Sequence, residues 1–401
     1  MTDATPKHWQ RLKVKYLVSM QSGDAIGSEA IADTGEYPVY GGNGLRGYTN
    51  DFTHEGEHIL IGRQGALCGN VNYATGKFWA TEHAIVASPR REFVTKWLGE
   101  TLRAMNLNQH SQSAAQPGIA VEVVANLDIA VPPISEQRTI ARKLAKETDR
   151  IDLLIEEKQR LILLLGEKRR ALIARSITQG LNRDAQRRDS GIPWLGEIPA
   201  HWKIERAKWL FVERDVRSDS GDEVLLSVSH LTGVTSRAEK NVNMFMAESL
   251  EGYKRCEAGD LVINTLWAWM GAMGIARQAG IVSPAYNVYQ PVPELDPEYV
   301  DLLVRTLRFA EEVTRYSKGV WSSRLRLYPE GLYEAWLPVP PKDEQLAITA
   351  HIQTATKKIN DFAQATERTI TLLQERRSAL ISAAVTGQLK IDVSASEIAT
   401  A

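Results

Sequence analysis

Two long stretches of the chain carry apolar residues at helical spacing and contain no proline. They run from residue 135 to about 178 and from residue 343 to about 386, each just after a Pro-Pro pair. One position in each stretch recurs every seventh residue and is mostly apolar, which is the spacing of a coiled-coil seam. These seam positions are Leu144, Ile151, Lys158, Leu165 and Leu172 in the first stretch and Ile352, Ile359, Thr366, Leu373 and Leu380 in the second. At about 1.5 Å per residue each helix would be on the order of 60 Å long, more than a globular core needs.

Both stretches belong to a repeat that takes in most of the chain. Residues 127–181 align without gaps to residues 335–389 at an offset of 208, with 19 of 55 positions identical. A shorter opening also recurs, at an offset of 193: Pro6, His8, Trp9, Lys15 and Leu17 return as Pro199, His201, Trp202, Lys208 and Leu210. A period near 200 residues is too long for a solenoid, so we interpret it as the duplication of a domain-plus-helix module.

The segments between the repeated parts have a mixed pattern. Residues 18–126 and 211–334 contain short apolar runs bounded by Gly and polar turns, and a few helical stretches. Each therefore predicts an α+β domain. Gly65-Ala66 resembles Gly271-Ala272 after a predicted strand in each segment, so we interpret the two domains as diverged copies of one fold.

The composition and net charge of the chain do not identify a binding partner. The 401 residues include 48 Lys and Arg against 49 Asp and Glu, so a nucleic-acid partner would have to be bound by local patches. The two cysteines form no disulfide framework, and we find neither a signal peptide nor an apolar run long enough to span a membrane. These features predict a cytoplasmic protein.

Two catalytic or cofactor motifs match only formally. Residues 42–47, GNGLRG, fit a dinucleotide-binding glycine pattern, but the sequence behind them reads as a turn instead of a helix. Residues 54–58, HEGEH, fit a zinc-protease pattern, but Gly56 and the strand-like run that follows disfavour the required helix. We therefore predict no catalytic centre and no metal site.

A basic segment with aromatic residues is more informative. Residues 315–328, RYSKGVWSSRLRLY, contain four basic residues and no acidic one, within a segment (211–334) that has 13 basic and 18 acidic residues. Such a surface suits phosphates and base edges, although a solvated loop remains an alternative. The candidates here are Lys318, Trp321, Arg324 and Arg326, and the amide-rich counterpart in the first half supplies Gln112 and Gln116. Looser candidates are Asn43, Arg46, Arg63 and Gln64 in the first domain and Asn264 and Trp267 in the second, each of which could instead cap a turn or fill a core.

The order of these features resembles the specificity subunit of type I restriction-modification systems. The residues that carry the resemblance are DSGIPWLG at 189–196, IPAHW at 198–202, and the paired PPxxEQ motifs at 132–137 and 340–345. The N-terminal opening lacks the DSGIPWLG lead, so the repeat looks circular, and we expect the C-terminal tail to close against the N-terminal opening.

The resemblance implies an α+β fold with two target-recognition domains, two long antiparallel coiled-coil helices that separate them, and a quasi-two-fold internal repeat. The first domain would span 1–134, the first spacer helix 135–180, the linker plus second domain 181–342, and the second helix with its tail 343–401. It also implies a non-catalytic reader of a bipartite double-stranded DNA target. Two modification subunits and the restriction subunits would be its partners, with S-adenosylmethionine, ATP and Mg on them and no cofactor in this chain. Two other functions stay open on the residues alone: a structural adaptor that binds proteins through its coiled coil, and a cryptic enzyme.

Overall fold

A computed structural model of the chain describes residues 5–111, 117–239, 249–319 and 325–389. These residues form two compact units, one made of the chain up to residue 159 together with residues from 367 onward, the other of residues 160–366. Each unit thus contains one globular domain and a part of both long helices. No helix in the described ranges is both long and apolar enough to cross a membrane.

The described residues of the first half form ten strands and three α-helices. The strands are β1 (Gln10–Lys13), β2 (Val18–Ser22), β3 (Tyr37–Gly41), β4 (Gly44–Thr49), β5 (His54–Glu55), β6 (His58–Gly62), β7 (Val71–Ala74), β8 (Lys77–Ala80), β9 (Ala84–Pro89) and β10 (Asp128–Val131). The helices are α1 (Thr95–Ala104), α2 (Val121–Ala125) and the long α3 (Ile134–Gln179).

The second half repeats this plan. Its strands are β11 (Arg187–Asp189), β12 (Glu197–Pro199), β13 (Lys203–Arg206), β14 (Phe211–Glu213), β15 (Leu226–Ser229), β16 (Gly233–Ser236), β17 (Lys254–Cys256), β18 (Leu261–Asn264), β19 (Met273–Ile275), β20 (Gly280–Val282), β21 (Tyr286–Pro291) and β22 (Trp336–Val339). Its helices are α4 (Ala207–Leu210), α5 (Pro297–Val304), α6 (Leu307–Arg315), α7 (Pro329–Glu334) and the long α8 (Lys342–Val385).

Sheet topology shows that the two domains are copies of one fold. The order β2-β9-β6-β7 in the first domain is matched by β14-β21-β18-β19 in the second, with antiparallel pairing throughout both. The pair β1–β10 is likewise matched by β13–β22. The α+β prediction, with two domains and two long helices, is confirmed.

The strand register corrects one detail of the alignment. Ile61 pairs with Val71 and with Ile85, and Ile263 pairs in the same way with Met273 and Asn287. This register aligns Gly271 with Gly69, which has almost the same positive φ (83° and 85°), and not with Gly65. The match of Gly65-Ala66 with Gly271-Ala272 was wrong because short sequence similarity does not fix a strand's register.

Within each unit the two long helices run antiparallel. In the first unit Ile140 and Leu144, near the start of α3, share a buried core with Ile381 and Ala384 near the end of α8. Further along, Asp152 accepts a hydrogen bond from Arg377 at 2.8 Å. In the second unit Gly180 lies beside Glu344, and Leu172 lines the same cleft as His351. The seam residues thus lie where the two helices pack on each other and on a domain core.

All ten seam residues are buried or half-buried. Leu144, Ile151, Leu165, Ile352 and Thr366 are buried, and the remaining five are of intermediate exposure. The hydroxyl of Thr366 donates to the Phe362 carbonyl at 2.8 Å, so this polar seam position is satisfied within its own helix.

The repeated motifs build the junction between each domain and its helix. His8 Nε2 lies 2.7 Å from Glu136 Oε1, and the Trp9 indole donates to Glu136 Oε2 at 2.9 Å. Gln137 then donates to the Pro132 carbonyl and accepts from the Val94 amide. The PPxxEQ and His-Trp motifs are therefore structural: a carboxylate in the first helical turn is held by a buried tryptophan.

The tail closes on the opening, as expected. Gly387, just after α8, approaches Pro6 and Trp9 so closely that a Cβ there would lie 2.2 Å from Pro6 Cδ. Its positive φ of 77° suits a glycine that ends a helix. Gly180, after α3, lies in the same way beside Pro199 and Trp202. The circular repeat predicted from the sequence is confirmed.

Candidate nucleic-acid interface

An open cleft in the first domain brings three of its four described candidates together. The cleft has a volume of about 1080 Å³, and Asn43, Arg46 and Gln64 line it. Its walls include five glycines, at 41, 42, 44, 65 and 118, so the backbone itself can approach a bound molecule closely. The fourth candidate, Arg63, lies next to the cleft, where its amide donates to the His83 carbonyl and its carbonyl accepts from Ile119.

His83 is a cleft residue that sequence reasoning missed. Its Nδ1 lies 3.0 Å from Gln64 Oε1, and its Nε2 lies 3.3 Å from a Glu82 carboxylate oxygen. An N–H at Nδ1 donates to the Gln64 side-chain oxygen, which leaves the Gln64 amide nitrogen free to donate into the cleft. A single histidine in the TEHAI sequence carries no motif, and only the fold brings it beside Gln64.

The loop that follows α1 closes against this cleft. Gly65 donates its amide to the Pro117 carbonyl at 2.9 Å, and Gly118 donates to the Ser111 hydroxyl at 3.0 Å. Both ends of the 112–116 segment are therefore fixed at the rim. Gln112 and Gln116 belong to that segment and lie outside the described residues, so their candidacy stays a prediction.

The second domain anchors its basic segment in the equivalent place. Leu327 donates its amide to the Thr265 carbonyl at 3.0 Å, which reproduces the bond from Ile119 to Arg63 in the first domain. Lys318 and Arg326 exchange two backbone hydrogen bonds of 2.9 Å and so close the base of the loop. Trp321 and Arg324 lie outside the described residues and stay predictions.

The basic character of this segment is partly neutralised at its start. Arg315 pairs at 3.0 Å with Glu312, whose carboxylate is 2% exposed. Burial, followed by the charge of Glu312, raises the pKa of the neighbouring Tyr316 phenol. Lys318 is exposed, whereas the half-buried Arg326 guanidinium lies 5.9 Å from the Tyr328 ring. Of these described residues, Lys318 is the cation best placed to reach a phosphate.

Asn264 and Trp267 have different surroundings. Asn264 is 7% exposed, and its amide donates to the Tyr286 hydroxyl and accepts from the Leu266 amide. It therefore shapes the turn after β18. Trp267 is 50% exposed and stacks on Trp269 with ring centroids 6.0 Å apart, which makes a flat apolar surface beside the loop base.

A second group that sequence reasoning missed is a basic cleft in the second unit. Lys168, Arg175, Arg183, Arg187 and His351 line a cleft of about 540 Å³ that has no carboxylate among its described lining residues. The excess of basic residues in 135–190 hinted at such a patch. The convergence of α3, the following linker and α8 could not be read from their order along the chain.

Comparison with known proteins finds a known domain family in the first half of the chain. Residues 6–162 match the family described as type I restriction modification DNA specificity domain. The specificity subunit of the Escherichia coli type I restriction enzyme EcoprrI is 46% identical over 141 residues, and that alignment covers 34% of this chain and 35% of the relative. The resemblance to type I specificity subunits that the sequence motifs predict is therefore confirmed, with the family match located in residues 6–162.

A second curated relative is also described as a type I specificity subunit. A putative type I specificity subunit of Haemophilus influenzae is 29% identical over 114 residues, covering 28% of this chain and 30% of the relative. The alignments with these two curated type I specificity subunits therefore span about a third of each relative's length.

Two solved structures share the fold at 15% identity. One, from a study of complex assembly and conformational transition in the type I system, has a TM-score of 0.66 and covers 96% of this chain and 99% of its own. The other, the HsdS subunit of Thermoanaerobacter tengcongensis, has a TM-score of 0.54 and covers 96% and 98%. The type I specificity fold therefore extends over almost the whole chain.

Proposed function

We propose that this chain is a non-catalytic DNA reader that recognises an asymmetric bipartite target, with one half-site for each domain. The observation that carries the proposal is the equivalent anchoring of two loops. Ile119 bonds to Arg63 in one domain and Leu327 bonds to Thr265 in the other, each at the end of the matching strand. A frame that both domains share, and that holds a segment of different sequence in each, is suited to reading two sequences.

Side chains at equivalent positions differ between the domains, which supports different half-sites. When the two domains are aligned by their strand register, with Ile61 equivalent to Ile263, the position of Gln64 is occupied by Leu266 in the second domain. The position of His83 is occupied by Ala285. Amides and imidazoles read donor and acceptor patterns at base edges, whereas leucine and an exposed tryptophan offer apolar contact. The first domain therefore supplies polar readout, and the second supplies stacking together with the Lys318 cation.

The resemblance to type I specificity subunits implies protein partners for this chain. Two modification subunits would assemble on this chain and bind S-adenosylmethionine, and restriction subunits would join with ATP and Mg. This chain would supply sequence recognition and a scaffold, and no cofactor of its own. Its DNA partner would place it in the cytoplasm. Its near-neutral charge suits a reader that shares phosphate binding with other subunits.

Base-resolution methylation mapping tests the proposal. DNA would be sequenced from cells that express this chain with its modification subunit, and from cells that express the modification subunit alone. We expect one asymmetric motif of two defined parts with an unspecified gap, present only when this chain is present.

A chimera tests which domain recognises which half-site. In it, residues 18–126 are replaced by the corresponding residues of a relative that has another target. We expect it to change one half of the motif and to leave the other unchanged. Methylation that lacks a motif, or that is the same without this chain, would contradict the proposal.

A further inference from the structure

The basic cleft of the second unit collects cations from three separate segments. Lys168 and Arg175 come from α3, Arg183 and Arg187 from the linker and the start of β11, and His351 from α8. Lys168 and Arg175 are seven residues apart, so they lie on nearly the same face of α3, about 10.5 Å apart along its axis. Four of the five side chains are exposed, and Arg187 is half-buried. The cleft therefore presents its positive charge to solvent.

The fold does not neutralise these cations. Among the described residues, none of the five side chains is paired with a carboxylate, and no carboxylate lines the cleft. Arg188, which lies outside the cleft, differs: its guanidinium donates to the Ala200 and Trp202 carbonyls at 3.3 and 2.8 Å. Like charges that are brought together oppose folding unless an opposite charge binds them. Arg188 thus has a structural role, whereas the cations of the cleft lack a partner that an external anion could supply.

The repeat shows that helix packing does not require this charge. At the offset of 208, Arg175 corresponds to Ala383 on α8. The next positions, Ser176 and Ala384, are buried alike, so the two helices pack in the same way beside an arginine and beside an alanine. The charge at Arg175 therefore needs a reason outside the repeated architecture.

The linker that carries two of the cations is held in place. Gly180 ends α3 with a positive φ of 69°, and Asn182 Oδ1 accepts from the Asp184 amide at 3.0 Å. Arg187 then pairs with Pro199 in the antiparallel ladder of β11 and β12. A backbone that is already ordered loses less conformational entropy when its side chains bind a ligand. The linker thus presents its arginines in a preorganised arrangement.

We propose that the basic cleft binds the phosphodiester backbone of one DNA strand and reads no bases. A free phosphate carries at most about two negative charges, too few for the lysine and three arginines of the cleft. Phosphates of one strand recur about every 3.4 Å along the duplex axis, so about three steps span the 10.5 Å between Lys168 and Arg175. Lysine and arginine contact phosphates whatever the base, so the contact adds affinity and leaves the recognised sequence unchanged. This inference rests on the proposed reading of double-stranded DNA.

The salt dependence of DNA binding tests this contact. The full chain, assembled with its modification subunit, would be titrated with a duplex that contains the methylated motif and with one that lacks it. Each phosphate contact contributes about 0.9 to the slope of log affinity against log salt concentration. Arg175→Gln combined with Arg187→Gln should reduce that slope by about 1.8 on both duplexes, which is about a 12-fold smaller loss of affinity between 50 and 200 mM salt. The methylated motif should stay the same.

A second pair of substitutions on the same helix controls for net charge. Arg169→Gln combined with Arg170→Gln removes the same charge from exposed positions of α3 outside the cleft, and it should leave the slope unchanged. Lys168→Gln combined with Arg183→Gln is an independent cleft pair and should repeat the reduction. Unchanged thermal unfolding would show that the variants remain folded.

Three results would overturn the phosphate contact. One is an unchanged slope in both cleft pairs. Another is a loss on the motif-containing duplex alone, or an altered motif, because the cleft would then read bases. The third is inorganic phosphate or ATP that binds the unaltered complex but not the cleft pairs, with DNA binding unchanged, which would assign the cleft to a small anion. Failure of the proposed function is distinct, since the unaltered complex would then show no preference for the motif, while the slope on the motif-free duplex would still test the cleft.

Discussion

The indole of Trp202 donates a 3.0 Å hydrogen bond to Glu344, the carboxylate in the first turn of the second long helix. Trp202 is 1% exposed, and His201 contacts the same carboxylate at 2.8 Å. Trp9, His8 and Glu136 repeat this arrangement in the first unit. In each module, one carboxylate in the first turn of the long helix therefore contacts both the histidine and the tryptophan of the domain.

Replacing Glu344 with alanine should destabilise the second unit. The substitution leaves the buried Trp202 N–H without an acceptor, and an unsatisfied buried donor costs about 1–3 kcal/mol. Differential scanning calorimetry should show one transition at lower temperature, because the first unit keeps its own Glu136 bond. Glu367→Ala, at an exposed position of the same helix, is the control and should leave both transitions in place. An unchanged thermogram for Glu344→Ala would show that this bond does not hold the junction.

The Gln64–His83 pair should determine one half-site. Gln64→Ala removes a side chain from the first-domain cleft, and a well-placed amide contact discriminates a base by about 1–3 kcal/mol. We expect relaxed methylation at one half of the motif, with the other half unchanged. His83→Ala should act in the same direction because it frees the Gln64 amide to rotate. Gln21→Ala, exposed in the same domain but outside the cleft, should change nothing. Relaxation of both halves by Gln64→Ala would contradict one half-site per domain.

The long helices should set the gap between the half-sites. An insertion near Gly180 would disturb the core, since Ile177 is fully buried and its carbonyl accepts from Tyr299 at 3.0 Å. Seven residues inserted into both helices, after 159 and after 366, would preserve the seam and add about 10.5 Å, or about three base pairs. The mapped motif should keep its two parts and widen its gap by that number. A heptad inserted into α3 alone breaks the antiparallel register and should abolish methylation. An unaltered gap with the paired insertion would rule out a spacer role.

Acid should destabilise the first unit through Glu100. Burial raises the pKa of this carboxyl, but the hydrogen bond and charge of Arg103 and the charge of Lys96 outweigh it, so the net pKa is lowered. Because the pKa of Glu100 is lower in the folded chain than in the unfolded chain, where it is near 4.5, the ionised carboxylate stabilises the fold above that pH. This stability is lost as the pH falls through the pKa of the folded chain. In Arg103→Gln the burial effect should dominate, and the acid transition should move to higher pH. Chemical denaturation across pH 3–7 measures this shift, and an unshifted transition would mean that Arg103 does not stabilise the carboxylate.

Local and repeated patterns determined much of this protein from sequence. The seam residues, the duplication, its circular closure and the α+β class all depend on periodicity or on matches between distant copies, both of which are written along the chain. The same information failed for Gly271, whose partner in the first domain is set by strand register, and it could not separate the buried Asn264 from the cleft residue Asn43.

Tertiary structure alone decided which side chains meet. Glu136 could be read as a helix-start acid, but its bond to Trp9 spans 127 positions and depends on how β1 and α3 come together. The pairing of His83 with Gln64 and the basic cleft beside His351 likewise depend on packing. Sequence patterns specify which face of each helix or strand is apolar. Which elements cover that face, or leave it exposed, is determined by the tertiary packing of the whole chain.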